Sequence, residues 1–209
     1  IWGEHTRVVE EIDVEMNSLD YLVEKDEISG IDVLSMDAQG SDYDILFGAS
    51  TALSTSVVAV VTEVEFSELY ADQPLFCDIQ DHLRKHDFRF CDFMSRQDFN
   101  TATFPYELQG KGFFTAAEAL FFKNVNALLE NSGQHIGNNN QIAQSLKLAA
   151  VAAAFDQLDL SLGIIRVLRE KYDLSIDELA ASTDLNYIKL LRDLSRAADV
   201  VETESPPLA

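Results

Sequence analysis

Three carboxylates stand where a sheet protein does chemistry. Asp37 ends the apolar run "IDVLSM" and is followed by the turn "AQGSD" and a helical pattern, while Glu63 and Glu65 close the run "VVAVVTEVEF". In an open α/β sheet, ligands sit outside the carboxyl ends of the strands. Strand alternation puts Glu63 and Glu65 on one side and Val64 on the other. Carboxylates there can bind a hydroxyl, take its proton or hold a metal. The same acids also fit plain strand-end punctuation in a very acidic chain, and the corner after Asp37 also fits an ordinary turn.

Other constellations carry less. "HLRKH" sets His82 and His86 at i, i+4 with Asp78 one turn earlier, a metal-compatible spacing on a helix. No third strong ligand is fixed nearby, so a surface pair is expected and no metal site is predicted. "GKG" (110–112) precedes a strand instead of opening a helix, so its N–H groups are not those of a phosphate loop. No G-x-S-x-G or P-loop occurs, and neither Cys77 nor Cys91 has the setting of a nucleophile or a disulfide framework. A receiver domain would need an acidic pair after its first strand and a Lys after a later one. Ser67 follows the second run here, and no Lys follows a strand until Lys123.

These residues need elements to hold them. The segment 7–16 is β-rich in its second half, and Ser18 is a good N-cap for the short helix "LDYLVEKDE". A strand is expected over 30–38 and a helix over roughly 42–53, with Ile45, Leu46, Ala49 and Leu53 at helical spacing. The run 56–66 is β-branched and nearly continuous, as in a mid-sheet strand covered on both faces. A helix over about 75–86, a strand over 88–94 and a last strand over 113–123 follow. The order β-α-β-α-β-α-β-β implies a parallel sheet whose final two strands pair antiparallel. Beyond Asn124 the chain turns Ala- and Leu-rich with helical periodicity, with Ser175 and Asp184 as N-caps. The division is 1–123 for the sheet domain, 124–200 for a helical extension of four or so helices, and 201–209 for a tail disordered by composition.

The net charge is −21 over 209 residues, and residues 1–72 hold 17 acids against two bases, Arg7 and Lys25. Such a surface repels phosphate backbones and anionic lipid, which argues against nucleic-acid and membrane partners. No apolar run approaches a membrane span, no signal peptide is visible, and two unpaired cysteines suit a reduced, cytoplasmic chain.

Read together, "IDVLSMDAQGSDYDILFGA", "VVTEVEFSELYADQPLF" and "EALFFK" resemble the FkbM family of S-adenosylmethionine-dependent methyltransferases over roughly residues 12–123. Asp37, Gln39 and Gly40 match its D-v-q-G, Gly48 and Ala49 its helix end, and Glu63 its strand-end acid. Tyr70, Gln73, Pro74 and Phe76 match the loop that follows, and "NSLDYL" the opening Leu-Asp. Ser35 stands where a Lys is usual and Asp42 where a Glu is usual. The resemblance implies a Rossmann-like class I methyltransferase sheet with its last strand antiparallel. This chain would hold the carboxyl-terminal strands of that sheet, followed by the helical extension. It implies S-adenosylmethionine as cofactor, Asp37, Gln39 and Gly40 as cofactor-binding residues, and Asp37 and Glu63 as catalytic residues. The activity implied is O-methylation of a sugar or other small-molecule or glycan hydroxyl.

The Gly-rich loop that chiefly grips the cofactor in such enzymes is not found, and the chain opens on Ile1. The expectation is therefore a carboxyl-terminal part, inactive alone, of an enzyme active when complete. The alternative is a non-catalytic module that self-associates or docks a partner through residues 138–198.

Overall fold

The computed structural model describes residues 9–99, 112–130, 139–173, 175, 178 and 193. Four strands form one sheet in the order β1-β2-β4-β3: β1 Val33–Met36, β2 Ala59–Glu65, β3 Phe88–Phe99 and β4 Phe113–Lys123. β1 and β2 are parallel, and β4 lies antiparallel between β2 and β3. The last two strands do pair antiparallel, as expected. The parallel sheet is corrected in one respect: β4 inserts centrally, so β1–β2 is the one adjacent parallel pair among the described residues. The result is a mixed α/β sheet consistent with a Rossmann-like arrangement.

β2 is central and its residues are almost all buried, as a continuous β-branched run requires. Its even positions Val60 and Val64 join Leu34, Phe121, Leu46, Leu53, Ile79 and Leu83 in one core. Its odd positions Ala59 and Val61 join Leu120, Phe122, Ile142, Leu146, Ile165 and Leu168 in the other. The first core is roofed by α2 Asp42–Phe47, α3 Ser50–Thr55 and α4 Phe76–Lys85. The second is covered by α6 Asn139–Ala154 and α7 Leu158–Tyr172, entered through α5 Val125–Glu130. Lys147 anchors α6 to the approach to β1 by an ion pair with Asp32 at 2.6 Å. The apolar faces of α6 and α7 are thus largely buried against the sheet and each other.

Ser18 caps α1 Leu19–Glu24 as predicted, its Oγ accepting from Tyr21 N at 3.2 Å. The single helix expected over 42–53 is two. Gly48 ends α2, and α3 restarts with its first N–H groups turned toward Asp20, which accepts from Thr51 N at 2.8 Å and Ala52 N at 3.0 Å. A side chain capping a helix from a distant segment satisfies donors the helix cannot. The strand-like second half of segment 7–16 is also corrected. Residues 9–17 form no strand and pair with nothing described, and Ile12, Val14 and Met16 are exposed. Alternation says which face a strand would bury, and here no neighbour offers a ladder. At the far end Ser175 and Glu178 form the reciprocal cap expected at Ser175. Asp184, Lys111 of "GKG" and the tail 201–209 lie outside the described residues.

Candidate functional site

The corner after β1 is built by a tight turn. Ser41 N donates to Ala38 O at 3.2 Å, and both central residues have positive φ: Gln39 at 49° and Gly40 at 93°. Gly suits such a position, while Gln adopts it at a cost of about 1–2 kcal/mol. Gly40 is required by space as well. A Cβ there would lie 2.7 Å from the Tyr70 ring and 3.1 Å from Gln73 Nε2. The loop after β2 therefore closes directly onto the turn after β1.

Asp42 fastens this corner to the sheet. It is 3% exposed, and its carboxylate accepts from Ala38 N at 3.1 Å and from Thr62 Oγ1 at 3.0 Å. The residue that departs from the family's usual Glu is thus a strut between turn and β2. Ser35, where the family's Lys is usual, is exposed on edge strand β1.

Asp37, Gln39 and Glu63 converge. Gln39 Nε2 donates to Asp37 Oδ1 at 2.7 Å and, more weakly, to Glu63 Oε2 at 3.4 Å. The strained φ at Gln39 is what turns its amide between the two strand ends. Burial first, then the negative charges of Asp37, Glu65 and Asp42, push the Glu63 carboxyl from its ordinary 4.5 up to about 7. A base that titrates there is poised for proton transfer near neutrality. Glu65, 3% exposed, is raised too, mainly by burial, with the Gln73 amide opposing.

Three of the four site residues named from the sequence thus meet through side chains, and Gly40 supplies backbone beside them. Asp42 and Gln73 are additions in role. Gln73 sits ten positions past Glu63 in a loop, where no periodicity marks it, and only the family pattern pointed to that loop.

The histidine pair is corrected. His82 is 7% exposed, with its ring against Tyr43 and Phe47 and its Nε2 at 3.2 Å from Leu46 O. A carbonyl only accepts, so Nε2 carries the proton, and burial holds the imidazole below its ordinary pKa. His86 Nδ1 pairs with Ser54 Oγ at 3.0 Å, and Asp78 caps its own helix by accepting from Leu75 N at 2.9 Å. Among the described residues no three or more His, Cys, Asp or Glu are grouped to hold a metal. No helix among them is long and apolar enough to cross a membrane.

No curated protein and no solved structure matches this chain. One family model does, the methyltransferase FkbM domain, over residues 2–90. The match takes in Asp37, Gln39, Gly40, Glu63 and Gln73 and ends within β3. Over those residues, fewer than half of the chain, the sequence is similar to the methyltransferase FkbM domain.

Proposed function

We propose that the corner formed by Asp37, Gln39, Gly40 and Glu63 is the reacting end of an S-adenosylmethionine-dependent O-methyltransferase whose acceptor is a sugar or other small-molecule or glycan hydroxyl. The observation that carries this is the Gln39-bridged pair Asp37–Glu63 at the carboxyl ends of adjacent parallel strands, with Glu63 titrating near 7. The residues fit the cofactor's charge, because a sulfonium is cationic and three carboxylates surround the corner. Asp37, Gln39 and Gly40 would hold it there, and when bound it supplies an electrophilic methyl group.

The chain's own residues do the rest. In-line displacement is accelerated mostly by orientation, and Asp37, fixed by Gln39, can accept a hydrogen bond from the acceptor hydroxyl. Glu63, in its ionised form, takes the hydroxyl proton as the new C–O bond forms. The sheet strands taken as the carboxyl-terminal part of a class I methyltransferase, with α5–α7 as an extension, agree with this reading. The non-catalytic alternative has less support, since the apolar faces of α6 and α7 are largely consumed by the sheet and by each other.

The test is transfer of a labelled methyl group from S-adenosylmethionine to a panel of neutral glycosides and polyols by the protein. A base-stable ether product, lost in Glu63→Gln, is expected. A base-labile methyl ester or an N-methyl product would overturn the hydroxyl assignment.

A further inference from the structure

We propose that the cavity between β3, the β4–α5 junction and α7 is a second binding site, which takes a small monocarboxylate with a compact apolar body and holds its carboxylate on Arg89. The site is separate from the reacting corner. Arg89, Phe122 and Ala59 share one row across the sheet. Glu63 pairs with Glu118 four residues further along both β2 and β4, roughly 13 Å away.

There is room for such a molecule. The cavity holds about 300 Å³ and is partly open to solvent, at the small end of the range for ligand sites. Its apolar lining is Phe122, 4% exposed, with Cys91, Val125 and Leu160, which pack against the second core yet stay partly exposed. Cys91 lines the cavity because β3 is irregular there. Phe90 pairs with Phe121 and Asp92 with Leu120, so Cys91 is the extra residue of a bulge, a device that re-aims a side chain.

The polar lining keeps donors unclaimed. Arg89 is exposed and makes no ion pair or hydrogen bond with any described residue, in a chain where acids outnumber Lys and Arg by 36 to 15. Asn124 Oδ1 accepts from Asn126 N at 3.2 Å, which leaves its Nδ2 free to donate. Lys123 also borders the cavity, but its Nζ is committed to Leu53 O and His86 O. A guanidinium takes a carboxylate with two parallel N–H bonds, which fixes orientation as well as charge.

The surroundings set the direction of the molecule. Burial first, then the charges of Asp92 and Asp159, push the Cys91 thiol up. A thiol so held is no nucleophile, so the ligand is bound without a covalent bond. The same two acids repel a carboxylate from the Cys91 end, so the apolar body lies there and the charge lies at Arg89. They also disfavour a second negative charge.

The probes are benzoate, hexanoate, benzyl alcohol and inorganic phosphate, added to the 209-residue chain carrying Cys77→Ser, which leaves Cys91 as its one thiol. Calorimetry measures binding, and the rate of Cys91 labelling by a thiol reagent reports where the probe sits. Benzoate, hexanoate or both should bind saturably and slow the labelling, and the tighter of the two tells an aromatic body from an acyl one. Binding should be weaker by about ten-fold or more for benzyl alcohol, for phosphate and for benzoate or hexanoate in Arg89→Gln, since each lacks the charge-assisted pair or the apolar contact. Leu160→Trp, which fills the cavity and leaves Arg89 in place, should also abolish binding, and melting curves check that both variants are folded. Equal binding of benzyl alcohol, unchanged binding in Arg89→Gln, or binding that leaves Cys91 labelling untouched overturns the proposal. So does the lack of saturable binding by either carboxylate.

Discussion

Asp37 and Glu63, at the carboxyl ends of neighbouring parallel strands, accept from one and the same amide, Gln39 Nε2, at 2.7 and 3.4 Å. The shared donor holds two like charges close, and burial first, then this proximity without full neutralisation, raises the Glu63 carboxyl to about 7.

Removing the Asp37 charge should therefore lower the Glu63 midpoint. In carboxyl ¹³C titrations Glu63 is expected to titrate near 7 in the parent chain and lower in Asp37→Asn. An unchanged midpoint would mean that burial alone sets it.

The same shift has a consequence for stability. Glu63 has a folded-state pKa above its unfolded value of 4.5, so folding favours the protonated form. Its contribution is fully present below 4.5 and is lost as pH rises through about 7. Glu63→Gln should flatten the fall in unfolding free energy across that window, read by urea titration at several pH values. A parent-like slope in the variant would assign the fall to other groups.

Gly40→Ala tests how tightly the two loops close. The added methyl meets the Tyr70 ring and forces an L side chain to a φ of 93°. A loss of about 1–3 kcal/mol is expected, read as a lower melting temperature. Full stability would mean that the Tyr70 loop yields freely.

At the opposite end of the sheet, Lys123 pins two helix ends. It is 7% exposed, and its Nζ donates to Leu53 O at 2.7 Å and to His86 O at 2.6 Å. These carbonyls lie at the carboxyl-terminal ends of α3 and α4, where cations suit the helix dipole. Lys123→Met should leave both without this donor and cost about 2–4 kcal/mol. Chemical denaturation reads this directly, and a change within error would deny Lys123 a structural role.

How far the sequence carried can be traced in single elements. β4 was legible to the residue, because "FFTAAEALFFK" is a predominantly apolar run with a Gly before it and an Asn after it. Its place between β2 and β3 was not legible, since strand order follows from long-range packing that no local pattern encodes. The same limit explains Ile12, Val14 and Met16, whose alternation is real but finds no partner. At the site, Asp37 and Glu63 were readable from strand ends and family pattern. The strut Asp42 and the amide of Gln73 were not, because each acts through a contact with a distant backbone or side chain. His82 was misread for a related reason: α2 closes over the edge of α4 and buries what spacing alone put on the surface.

The decisive prediction separates Asp37 as a reacting group from Asp37 as a turn residue. Asp37→Asn keeps the size and the turn preference, because Asn tolerates the same backbone geometry. It removes the charge and exchanges one acceptor oxygen for a donor. If Asp37 orients the acceptor hydroxyl, turnover should fall by about 10²–10⁴ with little change in melting temperature. Glu63→Gln is the matched substitution on the neighbouring strand, and it should also abolish the rise in rate as pH passes through about 7. Asp37→Asn should keep that rise but move it to lower pH, since Glu63 then titrates more easily. Near-normal turnover in Asp37→Asn removes Asp37 from the mechanism. A fall in rate that tracks a fall in melting temperature assigns it instead to holding the corner, through the bond from Gln39.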